Sequence, residues 1–191
     1  MAVIKNRMLN YIFELDATKV DECACAKITR LDPKWCCAYD DTLLRFKPET
    51  NYQLGNYLQS WKYFHNHTAD IRRQFTFNNS TAAKALAFLN GVMDKYKERT
   101  SDWSNSADIE NITFVGVHVR RVGNSPEVDM CILSSCNHSI MTVGTFGWWA
   151  SFLAGGETVH YKHLARKGSI LRKQYSSDYK DYFYPGWIGM D

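Results

Sequence analysis

The chain lacks the features of a fibrous, disordered or membrane-spanning protein. Only four of its 191 residues are proline, 45% are hydrophobic, and the formal net charge is +3 at pH 7. This composition is typical of a globular protein, and it gives no strong electrostatic reason to expect nucleic acid or a membrane surface as partner. No run approaches the ~20 apolar residues that span a bilayer, and charges interrupt residues 1–15. Taken alone, the chain is expected to be soluble and to stay outside the secretory pathway.

The spacing of the cysteines does not favour a metal site. Cys23 and Cys25 form a C-x-C pair and Cys36 and Cys37 are adjacent, whereas zinc sites usually use C-x2-4-C spacing. Metal is therefore not expected. Disulfides of a lumenal domain suit the six cysteines better, and burial as small apolar side chains is the alternative for some of them.

Five N-x-S/T sequons also favour a lumenal protein, against the expectation from the N-terminus. The pattern is short and each instance is weak alone, but five exceed what chance suggests. The glycosylation candidates are Asn66, Asn78, Asn79 and Asn111, and the fifth sequon begins at Asn137, beside a candidate binding site.

The hydrophobic pattern changes from helical to strand-like near residue 110. A 3–4 spacing of apolar residues predicts a helical stretch over 57–64, and Leu86, Leu89, Met93 and Tyr96 predict a helix over 81–99, capped by Ser80 or Thr81. A polar stretch at 100–110 predicts a loop and a domain boundary. Beyond it, we expect strands over 112–119, buried on both faces, and over 139–143 and 158–161, with a turn at 144–147 and a helix over 148–153.

Two arginines follow the first of these strands, in the sequence His118-Val119-Arg120-Arg121. Ligands of open α/β sheets bind at the carboxyl ends of the strands, and a guanidinium matches phosphate oxygens in shape and charge. A phosphate site is one interpretation of Arg120 and Arg121; an arginine pair that closes the sheet through ion pairs is the other. His118 is either a hydrogen-bonded strand-end residue or a catalytic base.

A second candidate is the turn Gly144-Thr145-Phe146-Gly147 before a helix, whose N-terminus attracts anions. Thr145 is expected to cap the helix or to donate to a phosphate, and an ordinary capped turn is the alternative. Asp129 either caps a short helix or accepts from a purine base. Together, the arginine pair and the turn suggest a diphosphate held between two strand ends.

The basic residues between Lys162 and Lys173, followed by aromatic residues from Tyr175 to Tyr184, also allow a single-stranded nucleic-acid site. No RNA-binding motif accompanies them and the chain is nearly neutral, so we expect no nucleic-acid partner.

Four segments resemble the galactoside α1,2-fucosyltransferase family. Residues 114–121 (FVGVHVRR) and 136–150 (CNHSIMTVGTFGWWA) resemble its first and second motifs, 57–64 (YLQSWKYF) an upstream segment, and 184–189 (YPGWIG) its C-terminal tail. Members of the family transfer L-fucose from GDP-fucose to the 2-hydroxyl of a terminal galactose, with inversion and without an expected metal or other cofactor. The animal members are anchored in the Golgi membrane with the enzyme on the lumenal side.

The resemblance implies an α/β fold of the B-type glycosyltransferase architecture, with a truncated, doubly wound parallel sheet in its donor domain. Residues 1–110 would form a partial, helix-rich acceptor-side region, and residues 111–191 a Rossmann-like region that binds GDP-fucose and carries an internal deletion. By this resemblance His118, Arg120 and Arg121 are catalytic. The donor-binding residues would be Asp129, Asn137, Gly144, Thr145, Phe146 and Gly147.

The sequence departs from the family at three places. Val122-Gly123-Asn124 stands where the family has Gly-Asp-Tyr after the arginine pair, a long stretch between the two motifs is missing, and the glycine-rich segment and membrane anchor near the N-terminus are absent. Losing strands from a parallel sheet leaves open edges and exposed apolar surface. The alternative function is therefore an inactive remnant that retains at most nucleotide or glycan binding.

Overall fold

The computed structural model describes residues 9–16, 28–55, 57–100, 112–119 and 123–191. These residues belong to two compact units, each assembled from separate segments of the chain. The first unit contains Asp16–Gln74 and His163–Gly186, and the second contains Met8–Leu15, Phe75–Lys162 and Trp187–Asp191. The predicted boundary between residues 110 and 111 lies outside the described ranges. The helix before it, which the sequence placed in the N-terminal region, lies in the same unit as the strands that follow.

The first unit is built mostly from turns and tertiary hydrogen bonds. Its regular elements are a parallel pair, β1 (Ile28–Leu31) and β2 (Asn51–Leu54), and helix α2 (Thr68–Gln74). The Asp181 carboxylate accepts from Lys62 Nζ at 2.5 Å and from the Tyr39 amide at 3.0 Å. Ser60 donates to the carbonyl of Asp181. The residues that these bonds join are between 119 and 142 positions apart in the sequence.

The helical stretch predicted over 57–64 is wrong. Only Trp61–Tyr63 form a single 3₁₀ turn, which the Ser60 side chain caps by accepting from the Lys62 amide. Tyr57 has a φ of 68°, in the left-handed region, and lies exposed. The indole of Trp61 donates to the carbonyl of Lys180, so tertiary bonds override the local apolar spacing.

The second unit contains a sheet of four parallel strands with two crossover helices. The strands are β3 (Val115–Val117), β4 (His138–Met141), β5 (Thr158–Tyr161) and β6 (Ile188–Met190), in the spatial order β3-β4-β5-β6. The helices of this unit are α1 (Leu9–Ile12), α3 (Asn79–Thr100), α4 (Pro126–Ser134) and α5 (Thr145–Ala154). The expected α/β fold with parallel strands is confirmed, as are the strands near 139–143 and 158–161. The predicted helix over 148–153 is also confirmed and ends at Gly155, whose φ is 79°.

Helices α4 and α5 cover one face of this sheet. Gly116 in β3 approaches the side chains of Leu133 and Cys136 so closely that a Cβ there would lie 3.2 Å and 3.3 Å from their nearest atoms. A small apolar cluster joins α3 to α4; it comprises Ala85, Val128, Cys131 and Ile132, with Phe77 and Leu89 packed against it. Because the strand order runs in one direction, right-handed crossovers place both helices on the same side.

The opposite face of the sheet is open in the described part of the chain. β3 was expected to be buried on both faces, but only Gly116 is buried there, while Val115 and Val117 are 51% and 49% exposed. That expectation is therefore wrong. An apolar run shows that a strand is hydrophobic, but it does not show that a second layer of helices is present to cover it. In the described part of the chain, helices cover one face of the sheet, whereas a doubly wound sheet has helices on both faces.

Helix α3 confirms the helix predicted over 81–99, with different contacts at its start. Asn78, and neither Ser80 nor Thr81, provides the cap, because its Oδ1 accepts from the Thr81 amide at 2.9 Å. The buried positions are Thr81 and Ala85, whereas Leu86 is 59% exposed. Across the described ranges, no helix has the length and apolar content needed to cross a membrane.

Candidate functional site

The candidate site lies where β3 and β4 end side by side. The amide of His118, just past β3, donates to the carbonyl of Ile140 at 2.9 Å and so continues the ladder. The His118 ring stacks on Phe146, with 5.2 Å between ring centroids and an interplanar angle of 24°. Its Nδ1 shares a hydrogen bond of 2.7 Å with Oγ1 of Thr142. The predicted residues His118 and Phe146 are thus brought together at the carboxyl edge of the sheet.

Gly147 makes this arrangement possible because it has no side chain. A Cβ on Gly147 would lie 2.7 Å from Nδ1 of His118 and 3.2 Å from the carbonyl oxygen of Thr142. The first distance is shorter than real Cβ contacts allow, so any other residue would push the imidazole away. The glycine at the end of the Gly144–Gly147 turn is therefore a packing requirement of the site.

The start of α5 faces the same edge. Gly144 occupies the N-cap position with a φ of 128°, and no side-chain hydrogen bond caps the helix. Thr145 is the first helical residue, so the expectation that it caps the helix is wrong; its side chain lies exposed. The first N–H groups of a helix have no acceptor within it, and they favour a negative charge. The edge beside His118 can therefore hold an anionic group.

Burial sets the protonation state of His118. Desolvation lowers the pKa of this imidazole below its ordinary value of 6.5. Near neutral pH the ring is therefore uncharged and carries one N–H. Because Thr142 engages Nδ1, the other ring nitrogen remains to donate or accept towards a ligand, according to the tautomer.

Asp129 lies on α4, in the connection that leads away from the site strands. Its Oδ1 accepts from Nδ2 of Asn124 at 2.9 Å. Helix α4 begins at Pro126 with Ser125 at the N-cap position, so Asp129 does not cap it and that interpretation is wrong. A crossover helix begins at the carboxyl edge of its sheet, which leaves Asp129 in the first turns on the site's side.

Asn137 is not brought to this edge. It precedes β4, at the amino end of the sheet, and its Oδ1 accepts from the Phe114 amide at 2.9 Å. The turn at Gly144 comes after β4, at the carboxyl end of the strand. Asn137 and this turn, which were both predicted to bind the donor, therefore lie at opposite ends of β4. The side chain of Asn137 supports the start of β3.

Arg120 and Arg121 lie outside the described residues, and their roles stay predictions from the sequence. Thr142 is the site residue that sequence reasoning missed. In the sequence, Thr142 looks like any β-branched residue of a strand. The parallel register of β3 and β4, which places Val117 beside Ile140, brings it next to His118. Across the described ranges, no group of three His, Cys, Asp or Glu side chains is placed to hold a metal ion.

The described cysteines support both interpretations of their chemistry. Cys36 and Cys37 form a disulfide, whereas Cys131 and Cys136 are free and buried, and burial raises the pKa of both thiols. A bond between adjacent residues closes almost no loop, so it constrains the unfolded chain little. The remaining pair, Cys23 and Cys25, is outside the described ranges.

The sequons differ in their accessibility. Asn66 and Asn79 are exposed, Asn78 is engaged as the cap of α3, and Asn111 lies outside the described residues.

Two of the basic residues in the C-terminal stretch, Arg172 and Lys162, make contacts within the fold. Arg172 donates to the carbonyls of Tyr175 and Ser176, and its guanidinium lies 4.4 Å from the Tyr179 ring centroid. Lys162 pairs with Asp191 at 2.6 Å. The aromatic rings from Tyr175 to Phe183 pack on one another. These contacts do not favour a nucleic-acid site.

The chain is similar to a family of glycosyltransferases. Residues 122–191 match the model of glycosyl transferase family 11. Galactoside alpha-(1,2)-fucosyltransferase 2 of Sus scrofa is 29% identical over 199 residues, covering 77% of this chain and 58% of the relative. The Bos taurus protein of the same name is 30% identical over 198 residues, which cover 76% of this chain and 57% of the relative. Galactoside alpha-(1,2)-fucosyltransferase 1 of Homo sapiens is 27% identical over 203 residues, which cover 73% of this chain and 52% of the relative. No solved structure matches the chain.

The chain spans little more than half the length of these relatives. Within the aligned region it is also shorter than they are. Since 77% of 191 residues is about 147, roughly 50 of the 199 positions aligned with the Sus scrofa protein have no counterpart here. The missing stretch between the two motifs stays a prediction from the sequence. The match to the family begins at Val122, directly after the arginine pair.

Proposed function

We propose that this chain, a homologue of the galactoside α1,2-fucosyltransferases, carries the donor site of an enzyme that transfers L-fucose from GDP-fucose to the 2-hydroxyl of a terminal galactose. The observation that supports this proposal most directly is the edge of the sheet formed by His118, Phe146 and Gly147. It lies beside the start of α5, which has no side-chain cap. An edge of this kind suits a ligand that combines an anionic group with a neutral, hydrogen-bonding sugar.

In this proposal the diphosphate of GDP-fucose lies at the N-terminus of α5. Arg120 and Arg121 follow His118 by two and three residues and supply the cationic groups. When the bond between fucose and diphosphate breaks, GDP leaves with the electron pair, the acceptor oxygen bonds to the anomeric carbon, and the proton of its hydroxyl is released to solvent. Arginines and helix N–H groups stabilise that departing charge, so the proposed reaction needs no metal.

His118 would be a neutral hydrogen-bonding partner of the donor. Its pKa is lowered by burial, and Thr142 holds one ring nitrogen, which orients the ring. Asp129 is the proposed residue on the guanine side, because a carboxylate accepts from the ring N–H and the amino group of guanine. Asn137 has no part in this scheme, since its side chain serves the amino end of β3.

The Golgi lumen, with a membrane anchor, is the proposed location. Asn66 and Asn79 are exposed sequons, and the disulfide between Cys36 and Cys37 suits an oxidising compartment. The proposed partners are GDP-fucose and a galactose-terminated glycan.

The test combines binding with turnover. Calorimetry with GDP would measure donor-site affinity, and transfer of labelled fucose from GDP-fucose to lactose would measure catalysis. We expect the double variant Arg120→Gln/Arg121→Gln to weaken GDP binding by at least about tenfold, since hydrogen bonds to charged groups contribute about 1.5–3 kcal/mol each. Arg166→Gln, which removes an exposed arginine elsewhere, is the matched control and should stay within about twofold of the parent. Parent protein that does not bind GDP would refute the donor site.

A second candidate function is binding without transfer. It is favoured by the roughly 50 aligned positions that have no counterpart in this chain and by Val122-Gly123-Asn124 after the arginine pair. A folded protein that binds GDP and shows no transfer to lactose would select this alternative, whereas measurable transfer would eliminate it.

A further inference from the structure

One face of the four-stranded sheet presents a continuous apolar surface to solvent. Its members, here called the open sheet face, are Val115, Val117, Val119, Ile140, Ile188 and Met190, and each is between 44% and 61% exposed. The parallel register places Val117 beside Ile140, Ile140 beside Val159, and Val159 beside Ile188, so a single row crosses all four strands. The face is therefore one patch, and not a scatter of single exposed residues.

A patch of this kind is unusual in a parallel sheet. Strands of parallel sheets are normally covered on both faces, and here α4 and α5 cover only the other one. Six large side chains that are about half exposed amount to on the order of 500 Å² of apolar surface, within the range of the largest and often functional patches of monomers.

The charge pattern restricts what can cover this face. Neither a carboxylate nor a lysine or arginine side chain belongs to β3, β4, β5 or β6 in the described structure. At the amino rim, the ring of His138 accepts from the Glu157 amide and lies 3.8 Å from the carboxylate of that residue. A charged partner would find no complement in the centre of the face, whereas two identical faces would meet without bringing like charges together there.

We infer that the open sheet face is a self-association surface through which two copies of this chain form a symmetric dimer. In a two-fold arrangement the same row of β-branched side chains packs on itself, as facing sheets do at a spacing of about 10 Å. A stable interface buries about 800 Å² per partner. The apolar face supplies most of this area, and Tyr161, which is 51% exposed and lies beside Met190 in the register, adds to it. The dimer would be a four-layer assembly with helices outside and the two sheets in the centre.

The test is the molar mass in solution, measured by light scattering and sedimentation over about two decades of concentration, because mass action governs dimer formation. We expect twice the chain mass of 22.1 kDa for the parent. Ile140→Lys places a charge in the central row and should give a monomer. Leu86→Lys is the matched control, since it changes an exposed apolar residue of α3 outside the face and should leave the dimer intact.

Two conservative variants keep the test decisive if Ile140→Lys fails to fold by circular dichroism. Val117→Thr and Val119→Thr retain β-branched shape and strand preference but add a hydroxyl to the face. Each should raise the dimer dissociation constant by about tenfold, and the two together by more, because burying an unpaired hydroxyl is unfavourable. A parent that is monomeric at every concentration would overturn the inference and assign the face to another protein or to a further part of the polypeptide. A dimer unaffected by the folded face variants, or disrupted equally by Leu86→Lys, would overturn it as well.

Discussion

At the scale of single residues, the candidate site depends on the lack of a Cβ atom at Gly147. His118 can stack on Phe146 and bond to Thr142 only because Gly147 carries no Cβ. The glycine is needed for space and not for its backbone, since its φ lies outside the left-handed region that favours glycine. Gly144 is the opposite case: a Cβ there would meet nothing within 4 Å, but its φ of 128° strains any other residue.

This distinction gives a prediction for Gly147→Ala. The added methyl group would displace the imidazole of His118, so we expect GDP affinity to fall by about tenfold, or ~1.4 kcal/mol. The ring resonances of His118 should shift in NMR spectra as the bond to Thr142 breaks. Gly91→Ala is a suitable control, because a Cβ at Gly91 meets nothing within 4 Å and alanine favours the helix. Unchanged His118 resonances in Gly147→Ala would show that the contact does not govern the ring.

At the scale of secondary structure, helix α3 starts from an asparagine that performs two tasks. Asn78 Oδ1 accepts from the Thr81 amide, and its Nδ2 donates to the carbonyl of Tyr11. The first bond caps the helix, and the second holds α1, to which Tyr11 belongs. Asn78 is also the first residue of a sequon, so attachment of a glycan would compete with the cap.

We therefore predict that Asn78→Ala lowers the free energy of unfolding by about 1 kcal/mol or more, the usual value of an asparagine cap. Asn79→Ala changes the exposed neighbour and should alter stability by less than about 0.5 kcal/mol. Urea denaturation followed by circular dichroism would compare the two. In a glycosylating host, Asn79 should carry the glycan in preference to Asn78; equal stability of both variants, or a glycan mainly on Asn78, would contradict this assignment of the cap.

Local pattern was sufficient for some elements and insufficient for others. Local pattern predicted the presence of α3, α5, β4 and β5, but not which face each one buries: Leu86 is 59% exposed on α3, and Ile140 is 45% exposed on β4. It failed over 57–64, where Trp61 and Ser60 bond to residues about 120 positions away. It also could not show that β3 is covered on one side only, since Val115 and Val117 look the same in a one-sided or a two-sided sheet. His118 and Phe146, which follow the ends of neighbouring strands, lie together at one edge of the sheet, whereas Asn137 was chosen by the motif and lies at the other end of β4.

At the scale of the whole molecule, the order of the chain and the order of the structure differ. The connection between β5 and β6 passes through the first unit, which contains His163–Gly186. The C-terminal tail then returns to place Ile188 beside Val159. Composition along the chain cannot indicate such a return, because the pairing partners are about 30 residues apart.

The stability of the sheet unit should depend on pH through two histidines, the buried His160 and the half-buried His118. Desolvation lowers the pKa of His160, and also that of His118, below the ordinary 6.5. Below pH 6.5 the unfolded chain then binds more protons than the folded one, so stability is complete above that pH and falls as the pH decreases towards the folded-state values. The slope is at most about 1.4 kcal/mol per pH unit for each histidine. Urea midpoints between pH 7.5 and pH 5, a window above the titration of the carboxylates, would measure it, with the pH values chosen around 6.5. His160→Gln should flatten the dependence of the urea midpoint on pH. His67→Gln, at an exposed position, is the control and should leave it unchanged. A parent protein whose urea midpoint does not change with pH would show that neither imidazole resists protonation in the folded state.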